Sequence, residues 1–367
     1  MEQRIQKFTA WLQEEEIDFA FISSTANLFY LTRFYCDPHE RLLGLFLFPE
    51  EEPFLVCPKM EESRAKQAGW QGAVLSYDDV ENPWERIKQE LQKRAVPSHP
   101  KVAIEKQHLS FDRAEQLLSL YPKARFQGAE KKLHHLRLIK EEEEIKILSQ
   151  AAEVADMAVS IGVNALQKGR TEQEVVAEIE YELKKKGIEG MSFPTTVLFG
   201  EKTALPHGVP GDRTLAAGDF VLFDLGVVID GYCSDITRTF VFQEVSDKQR
   251  EIYKTVLHAQ ETALSLCRPG VRIGELDQRA RSIIREAGYG EYFPHRLGHG
   301  LGIEVHEYPS IHERVEEPLQ EGMVFTVEPG IYIPELGGVR IEDDVLITNN
   351  GATILTQFPK ELQVVGN

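Results

Sequence analysis

The stretch FVLFDLGVVIDGYCSDITRTF, Phe220–Phe240, decides the fold of the second half of the chain. An apolar strand pattern leads into Asp224, a turn signal follows at Asp230-Gly231, and a second acid stands at Asp235. An isolated carboxylate on a buried strand is costly unless it is paired, protonated or bound to a metal. The stretch therefore predicts a β-hairpin whose acids need a compensating group.

The turn signal sets the register of this hairpin. Asp-Gly between two strand patterns favours a two-residue turn, which pairs Ile229 with Tyr232. Counting outward, Asp235 falls opposite Gly226 and diagonally next to Asp224 on one face of the sheet. The hairpin thus predicts two neighbouring carboxylates.

A second copy of the pattern follows later in the chain. GDFVLFDLG, Gly218–Gly226, aligns with GMVFTVEPG, Gly322–Gly330, so that Asp224 corresponds to Glu328. The preceding helices repeat as well, each starting after one glycine and ending at another: Gly169 to Gly187 and Gly270 to Gly288. Agreement of helices, glycines and acids predicts an internally duplicated α/β fold.

The second hairpin carries the acid Glu342, which corresponds to Asp235 in the first. We expect a five-residue loop over residues 334–338, which pairs Ile333 with Val339. Glu342 then stands opposite Gly330 and diagonally next to Glu328, the acid that ends the first strand of this second hairpin. Four carboxylates from two hairpins would repel one another, and divalent cations resolve that repulsion.

Histidines complete the predicted site. The glycine-rich run FPHRLGHGLGIEVHE holds His295, His299 and His306, and His207 lies in the loop sequence ALPHG. Carboxylates with a few imidazoles suit hard or borderline divalent ions, and a pair of such ions can activate water and polarise a carbonyl. The residues predict a hydrolytic metal site.

Other catalytic signatures fail. The second histidine of HEYPSIH comes too late, after a proline, for the H-E-x-x-H zinc helix. The chain has neither a G-x-S-x-G nucleophile elbow nor a phosphate-binding loop, and its glycines lack the dinucleotide-binding spacing.

Length and composition bound the remaining possibilities. At 367 residues the chain exceeds one hydrophobic core, and we expect an α/β domain over residues 1–128 followed by the duplicated domain over 129–367. The net charge of -18 excludes nucleic acid and anionic membranes as partners. The N-terminus lacks the apolar core of a signal peptide and no apolar run could span a bilayer, so we expect a cytoplasmic protein.

Helix and strand patterns alternate in the first domain. The predicted elements are a helix over Arg4–Glu15, strands over Asp18–Ile22, Leu43–Phe48 and Phe54–Val56, a helix over Pro83–Arg94, a strand over Val102–Ile104 and a helix over Phe111–Leu120. The four scattered cysteines predict reduced thiols in the core, without disulfides.

The segments ALPHG, FDLG, YCSDITRTF, HRLGHGLGIEVHE, VEPGIYIP and GGVRIEDD together resemble the proline-specific metallopeptidases, namely aminopeptidase P and Xaa-Pro dipeptidase (prolidase). The motifs span Leu205 to Asp344, and the preceding domain matches the family's creatinase-type plan more loosely. The resemblance implies a pseudo-symmetric "pita-bread" catalytic domain, as the internal repeat does.

The resemblance also implies roles for individual residues. The ligands of two divalent metal ions would be Asp224, Asp235, His299, Glu328 and Glu342. Asp224 would bind one ion, and His299 and Glu328 would bind the other. Asp235 and Glu342 would bind both ions. The family's other active-site positions correspond to His207, His295, His306, Tyr332 and Arg340, and Glu328 resembles the proton shuttle.

The implied activity is metal-assisted hydrolysis of the bond before proline in small peptides with proline at the second position. Manganese is the expected metal, with cobalt, zinc or iron as alternatives, and a homodimer is the expected assembly. We favour a dipeptidase, with an aminopeptidase acting on longer peptides as the alternative.

Three rival interpretations fit less well. Methionine aminopeptidases share the five ligands, but the extra N-terminal domain, His295 and Arg340 argue against one. Creatinase-like enzymes work without metal, and a binding scaffold without activity usually loses ligands. The intact ligand set argues against both.

Overall fold

The computed structural model describes residues 2–366, which form two compact units that divide between Arg137 and Leu138. The first unit is built on one six-stranded mixed sheet with the strand order β4-β3-β2-β1-β5-β6. Its strands are β1 (Phe19–Ile22), β2 (Gly44–Leu47), β3 (Phe54–Pro58), β4 (Ala73–Tyr77), β5 (Lys101–Ile104) and β6 (Arg125–Gly128). Its helices are α1 (Glu2–Glu14), α2 (Thr25–Thr32), α3 (Glu62–Gln67), α4 (Pro83–Gln92), α5 (Phe111–Leu120) and α6 (Glu130–Leu138), with a short 3-10 helix at Lys59–Glu61.

All seven elements expected in the first unit are present, with ends displaced by at most two residues, but the patterns missed α2, α3, β4, β6 and α6. Helix α2 has no amphipathic period because its second half is buried on every side. It begins where the Ser24 side chain accepts a hydrogen bond from the Asn27 amide, a cap typical of helix starts.

The structural division falls nine residues after the predicted boundary at residue 128. Helix α6, which the sequence patterns missed, belongs mostly to the first unit. The Ala129 amide donates to Ile104 O at 2.9 Å, and the Arg137 guanidinium donates to Asn27 Oδ1 at 2.8 Å. Leu133 is fully buried between these ends, so the helix is anchored by an apolar contact as well.

The second unit contains four long helices and fourteen strands within residues 138–366. The helices are α7 (Glu142–Ala165), α8 (Glu172–Lys185), α9 (Asp247–Leu266) and α10 (Ile273–Glu286). The strands of its first half are β7 (Gly190–Met191), β8 (Thr196–Phe199), β9 (Phe220–Leu225), β10 (Val227–Ile229), β11 (Tyr232–Cys233) and β12 (Ile236–Phe242). Those of its second half are β13 (Gly298–Gly300), β14 (Glu307–Ile311), β15 (Val324–Val327), β16 (Gly330–Ile333), β17 (Gly337–Arg340), β18 (Asp343–Thr348), β19 (Gly351–Ile354) and β20 (Val364–Val365).

These strands form two larger and two smaller sheets. The larger ones have the orders β20-β12-β9-β8 and β14-β13-β15-β18-β19, and the smaller ones are β11-β10-β7 and β16-β17. One apolar core packs α7 and α8 against the first larger sheet, and another packs α9 and α10 against the second. The predicted layering of helices on twisted sheets is therefore present in both halves.

The duplication extends to individual hydrogen bonds. The Gly169 amide donates to Leu215 O and the Gly270 amide donates to Leu319 O, both at 2.9 Å. Gly169 and Gly270 have φ of 83° and 86°, a conformation that favours glycine. The chain thus uses the same backbone device to start α8 and α10.

The first hairpin has the predicted register. Ile229 pairs with Tyr232 across a two-residue turn, in which Asp230 and Gly231 both have positive φ, 45° and 77°. That combination defines the type I′ turn expected of Asp-Gly. Strands β9 and β12 continue the register, with Asp224 opposite Thr237.

The second hairpin is present, but the pairing register predicted for it was wrong by two residues. Ile333 pairs with Gly337, and Gly330 pairs with Arg340 rather than with Glu342. The loop has three residues instead of five because Gly337, at φ 116°, already ends the turn and joins the ladder. A shift of two positions keeps every side chain on its face, so Glu342 still points to the side predicted for it.

The cysteines agree with the expectation of reduced thiols in the core. All four cysteines are buried free thiols. Within residues 2–366, none of the helices has the apolar length that a bilayer crossing requires.

The first hairpin leaves no space for a side chain at Gly226, which lies between β9 and β10. A Cβ there would lie 1.8 Å from Ser234 O, so we expect Gly226→Ala to lower the free energy of unfolding by about 1–3 kcal/mol. Urea titration of the metal-free protein measures this. Gly190→Ala is the matched control, because a Cβ at Gly190 meets no atom within 4 Å, and an equal loss in both variants would contradict the steric explanation.

Candidate metal centre

Three side chains from different segments converge on one buried point. Ligand atoms of Asp235, His299 and Glu342 lie within 4.8 Å of one another. Asp235 precedes β12, His299 is the middle residue of β13, and Glu342 lies between β17 and β18. All three residues are buried. One His and two carboxylates at this spacing can share a single divalent cation.

The other two predicted ligands adjoin this group. Glu328 Oε1 lies 3.2 Å from His299 Nε2, and Asp235 Oδ2 lies 3.8 Å from the same nitrogen. The charges of Asp224 and Glu328 both raise the pKa of Glu342. All five predicted ligands therefore lie close enough to interact electrostatically.

Burial and mutual repulsion dominate the electrostatics of Asp235 and Glu342. Removal from water raises the pKa of Asp235 well above its usual value, and the charges of Glu342 and Asp224 raise it further. Burial likewise raises the pKa of Glu342 well above its ordinary range, with Glu328 and Asp224 adding to the effect. Neither carboxylate can be ionised at low cost unless a cation is added.

One atom of the cluster has no partner. Asp235 Oδ1 is buried and accepts no hydrogen bond from any described residue. Buried carboxylate oxygens are otherwise almost always satisfied. A divalent cation at this point would satisfy the oxygen and neutralise the cluster, so the residues fit a metal.

The orientation of His299 supports the same fit. Its Nδ1 lies 3.2 Å from Gly300 O, so the hydrogen-bond pattern assigns the proton of the neutral ring to Nδ1. Nε2 then directs a lone pair toward Glu328 and Asp235. Only a proton or a metal cation can lie favourably between these electron-rich atoms.

Glu328 behaves differently from the other acids. Burial alone would raise its pKa, but the adjacent rings of His299 and His295 and the guanidinium of Arg340 outweigh that effect. The pKa of Glu328 is consequently lowered. This carboxylate is ionised at neutral pH and is the group best able to accept a proton.

Arg340 forms the buried cationic side of the site. Its guanidinium donates to Asp224 Oδ2 at 2.5 Å, to the Tyr332 hydroxyl at 2.8 Å and to Thr237 Oγ1 at 3.1 Å. Burial raises the pKa of Asp224, and the adjacent Arg340 moderates that shift. The guanidinium fixes Asp224 in place and leaves its second oxygen for another partner.

His295 extends this network. The Tyr332 hydroxyl lies 2.8 Å from His295 Nε2, and His295 Nδ1 lies 2.8 Å from Arg296 O. With the proton on Nδ1, Nε2 accepts from Tyr332, whose hydroxyl accepts from Arg340. Burial lowers the pKa of His295 and raises that of Tyr332 to about 12, so both groups are neutral at pH 7.

His306 and His207 lie on the open side. The His306 ring stands edge-on to His299, with 4.1 Å between ring centroids. His306 is exposed as a whole, but partial desolvation of its ring, together with the charges of His299 and Arg296, lowers its pKa to about 4. His207 is also exposed and is close enough for its charge to act on His306.

Three residues that the sequence pattern did not single out support the cluster. Thr237 Oγ1 donates to Glu342 Oε2 at 2.5 Å, and Thr326 Oγ1 accepts from the His299 amide at 3.2 Å. Asp344 Oδ2 accepts from the Asp235 amide at 3.1 Å. Their position one or two strand residues from predicted ligands was the available signal, but threonines on strands are too common to be informative.

Two sequence families match the chain. Residues 146–349 match Metallopeptidase family M24, and residues 4–139 match the Creatinase/Prolidase N-terminal domain. The chain belongs to metallopeptidase family M24 and carries the two-domain plan expected from the sequence. It is therefore a peptide hydrolase of a metal-dependent family.

Individual proteins extend the match over the full length. The putative dipeptidase YkvY of Bacillus subtilis (strain 168) is 58% identical over 362 residues, 99% of each chain. The prolidase from Pyrococcus horikoshii OT3 superposes with a TM-score of 0.90 at 38% identity over 98% of this chain and 99% of its own. The X-Pro aminopeptidase from Thermotoga maritima MSB8 superposes with a TM-score of 0.85 at 35% identity over 95% of this chain and 98% of its own. These likenesses confirm the predicted fold class.

The raised pKa values predict how the metal-free protein responds to pH. In the folded state Asp235 and Glu342 hold protons that the unfolded chain releases near pH 4, so the free energy of unfolding falls as pH rises above that value. The raised pKa of Asp224 contributes to the same fall in stability with rising pH, whereas the lowered pKa of Glu328 opposes it. We expect the Tm of the chelated protein to decrease from about pH 5.5 to about pH 8.

Manganese should reverse this trend, because it binds the deprotonated carboxylates. We therefore expect Mn²⁺ to raise the Tm more at the higher pH, as measured by differential scanning fluorimetry. Asp235→Asn, which cannot ionise, should flatten the slope of the chelated protein. An equal rise at both pH values would contradict the assignment.

Proposed function

We propose that this protein hydrolyses the peptide bond between any residue and a following proline, and acts chiefly as an Xaa-Pro dipeptidase. The single observation that carries the proposal is the buried group of Asp235, His299 and Glu342 with an unsatisfied carboxylate oxygen. The prolidase and dipeptidase names of similar proteins support the substrate class.

We further propose two metal ions, most simply Mn²⁺. Asp224, Asp235, His299, Glu328 and Glu342 would hold them. Bound there, they would supply Lewis-acid polarisation of the scissile carbonyl and lower the pKa of water. Four acidic side chains face a single arginine there, so one divalent ion alone would leave the site negative.

Glu328 would be the proton carrier. Its lowered pKa keeps it ionised, so it can take a proton from the attacking water and pass it on. The leaving proline nitrogen carries no hydrogen in the substrate and must be protonated to depart. Glu328 lies next to His299, where the electrophilic centre is expected, and can serve both transfers.

The neutral histidines would contact the substrate. The ring of His306, with its lowered pKa, presents an N–H donor without a positive charge at pH 7. Such a donor can stabilise the oxygen of the tetrahedral species. His207, on an exposed loop near His306, would supply a second donor. His295 would form one side of the proline site. The Tyr332 hydroxyl, itself bonded to Arg340, would hold its ring in place.

Dipeptidase and aminopeptidase chemistry share this centre, and the similar structures include both kinds. We favour the dipeptidase because YkvY, a relative of nearly identical length, carries that name. The proposed substrates are small peptides with proline second, and the proposed assembly is a homodimer in the cytoplasm.

Hydrolysis of Ala-Pro and Ala-Pro-Ala with Mn²⁺ present tests the substrate class. We expect Ala-Pro to be the better substrate, and Ala-Ala to be cleaved far more slowly. Exclusive cleavage of the tripeptide would establish the aminopeptidase alternative, and equal cleavage of Ala-Ala would remove the proline requirement.

Replacement of Glu328 tests the proton carrier. We expect Glu328→Gln to lower kcat by about 10²–10⁴-fold while the far-UV circular dichroism stays unchanged, because glutamine keeps the shape but cannot accept the proton. The matched control is Glu321→Gln, an exposed acid nearby, which should retain full activity. Near-normal turnover by Glu328→Gln would remove Glu328 from this role.

A further inference from the structure

The loop that carries His207 has little regular structure of its own. It leaves β8 through a 3-10 helix at Gly200–Ala204 and continues irregularly to Gly211. Leu205, His207 and Val209 are exposed. A histidine that must meet a substrate at a fixed distance cannot be positioned by such a loop unless something else restrains it.

A buried carboxylate lies beneath the loop. Glu172, the first residue of α8, is fully buried. Its Oε1 accepts from the Phe199 amide at 2.9 Å, and its Oε2 accepts from the Gly211 amide at 2.8 Å. One side chain therefore joins the two ends of the loop.

The same carboxylate also restrains the middle of the loop. Glu172 Oε2 forms a short ion pair with the Lys202 ammonium. That ammonium in turn donates to Val209 O at 3.1 Å. The ion pair thus reaches the backbone two residues after His207.

The internal duplication shows that the fold does not need this carboxylate. The position equivalent to Glu172 is Ile273, which is fully buried. In both halves the backbone alone makes the same connection: the Glu172 amide donates to Arg213 O and the Ile273 amide to Glu317 O. The acid is present only in the first half, where the loop carries His207.

The other side of the loop is fixed to the hairpin of β16 and β17. The Gly338 amide donates to Thr203 Oγ1 at 2.7 Å, and this hydroxyl donates to Gly200 O at 2.6 Å. Tyr332 and Arg340 stand on that hairpin. The loop is therefore restrained between the carboxylate and the strands that carry the proline-site residues.

We propose that Glu172 and Lys202 are positioning residues that hold His207 at the active site. The kinetic part of this proposal rests on the proposed contact between His207 and the substrate. The structural part, the restraint of the loop, does not. Two measurements separate the two parts.

Hydrogen exchange tests the restraint directly. The double variant Glu172→Ile/Lys202→Met introduces the residue of the other half and leaves no unpaired charge, so it should fold. We expect the amides of residues 199–211 to exchange about 10–100-fold faster than in the unmodified protein, with other segments unchanged. Glu172→Gln provides a second variant of nearly identical volume.

Kinetic coupling tests the positioning. In the otherwise unmodified protein we expect Glu172→Gln to lower kcat/KM for Ala-Pro by about tenfold. In a His207→Ala background the same change should cost less than about twofold, because the group to be positioned is gone.

Glu174→Ala is the matched control. It removes the capping box in the same first turn of α8 and should destabilise the helix without altering loop exchange or coupling to His207. Unchanged loop exchange in the Glu172 variants would overturn the proposal, and so would a kinetic loss fully additive with His207→Ala. If the unmodified protein cleaves no Xaa-Pro peptide, the proposed function fails while the exchange result still decides the restraint.

Discussion

The second unit depends on one electrostatic constraint, the burial of several carboxylates around the same point. Asp235 and Glu342 are buried, and among residues 2–366 no arginine or lysine pairs with their carboxylates: Arg340 is bound to Asp224, and Arg238 donates to the main-chain oxygen of Glu342. In a low-dielectric interior such groups must be protonated or must share a cation. The proton form would leave Asp235 Oδ1 unsatisfied. The cation form satisfies the oxygen, the charges and the lone pair of His299 together.

The duplicated frame explains how a chain can hold such a cluster rigidly. Each half supplies two acids, and the strands next to them, β9 and β12 in the first half and β15 and β18 in the second, belong to a larger sheet covered by two helices. The halves also differ from each other. His299 comes from the second half only. Glu172, whose equivalent is Ile273, restrains a loop in the first half only. Symmetry provides the charges, and the departures from it include groups that we propose for catalysis or for positioning.

Local chemistry made some features predictable from the sequence. Asp-Gly fixed the first hairpin because few turns accept positive φ at both positions. The helices α8 and α10 were predictable from the glycines that flank them, because left-handed backbone at the end of a helix favours glycine. The second hairpin was misjudged because PELGG contains two glycines, and the pattern alone does not show which of them ends the turn. The error did not affect the faces, since strand periodicity is two.

Other features depend on contacts distant in sequence and could not be predicted in this way. The salt bridge from Arg340 to Asp224 joins residues 116 positions apart, and no periodicity indicates such a pair. The hydrogen bond from Thr237 to Glu342 is similar. Helix α6 was missed because most of its side chains are polar, although a buried leucine anchors it. Family resemblance supplied the site residues where local patterns could not.

The central claim is that the buried carboxylates hold a pair of divalent ions. Anomalous diffraction at the manganese edge from crystals grown with Mn²⁺ tests it most directly. The account predicts two anomalous peaks that share Asp235 and Glu342 as ligands, with His299 bound to one of them. A map without a peak among these side chains, at saturating Mn²⁺ and neutral pH, would contradict it.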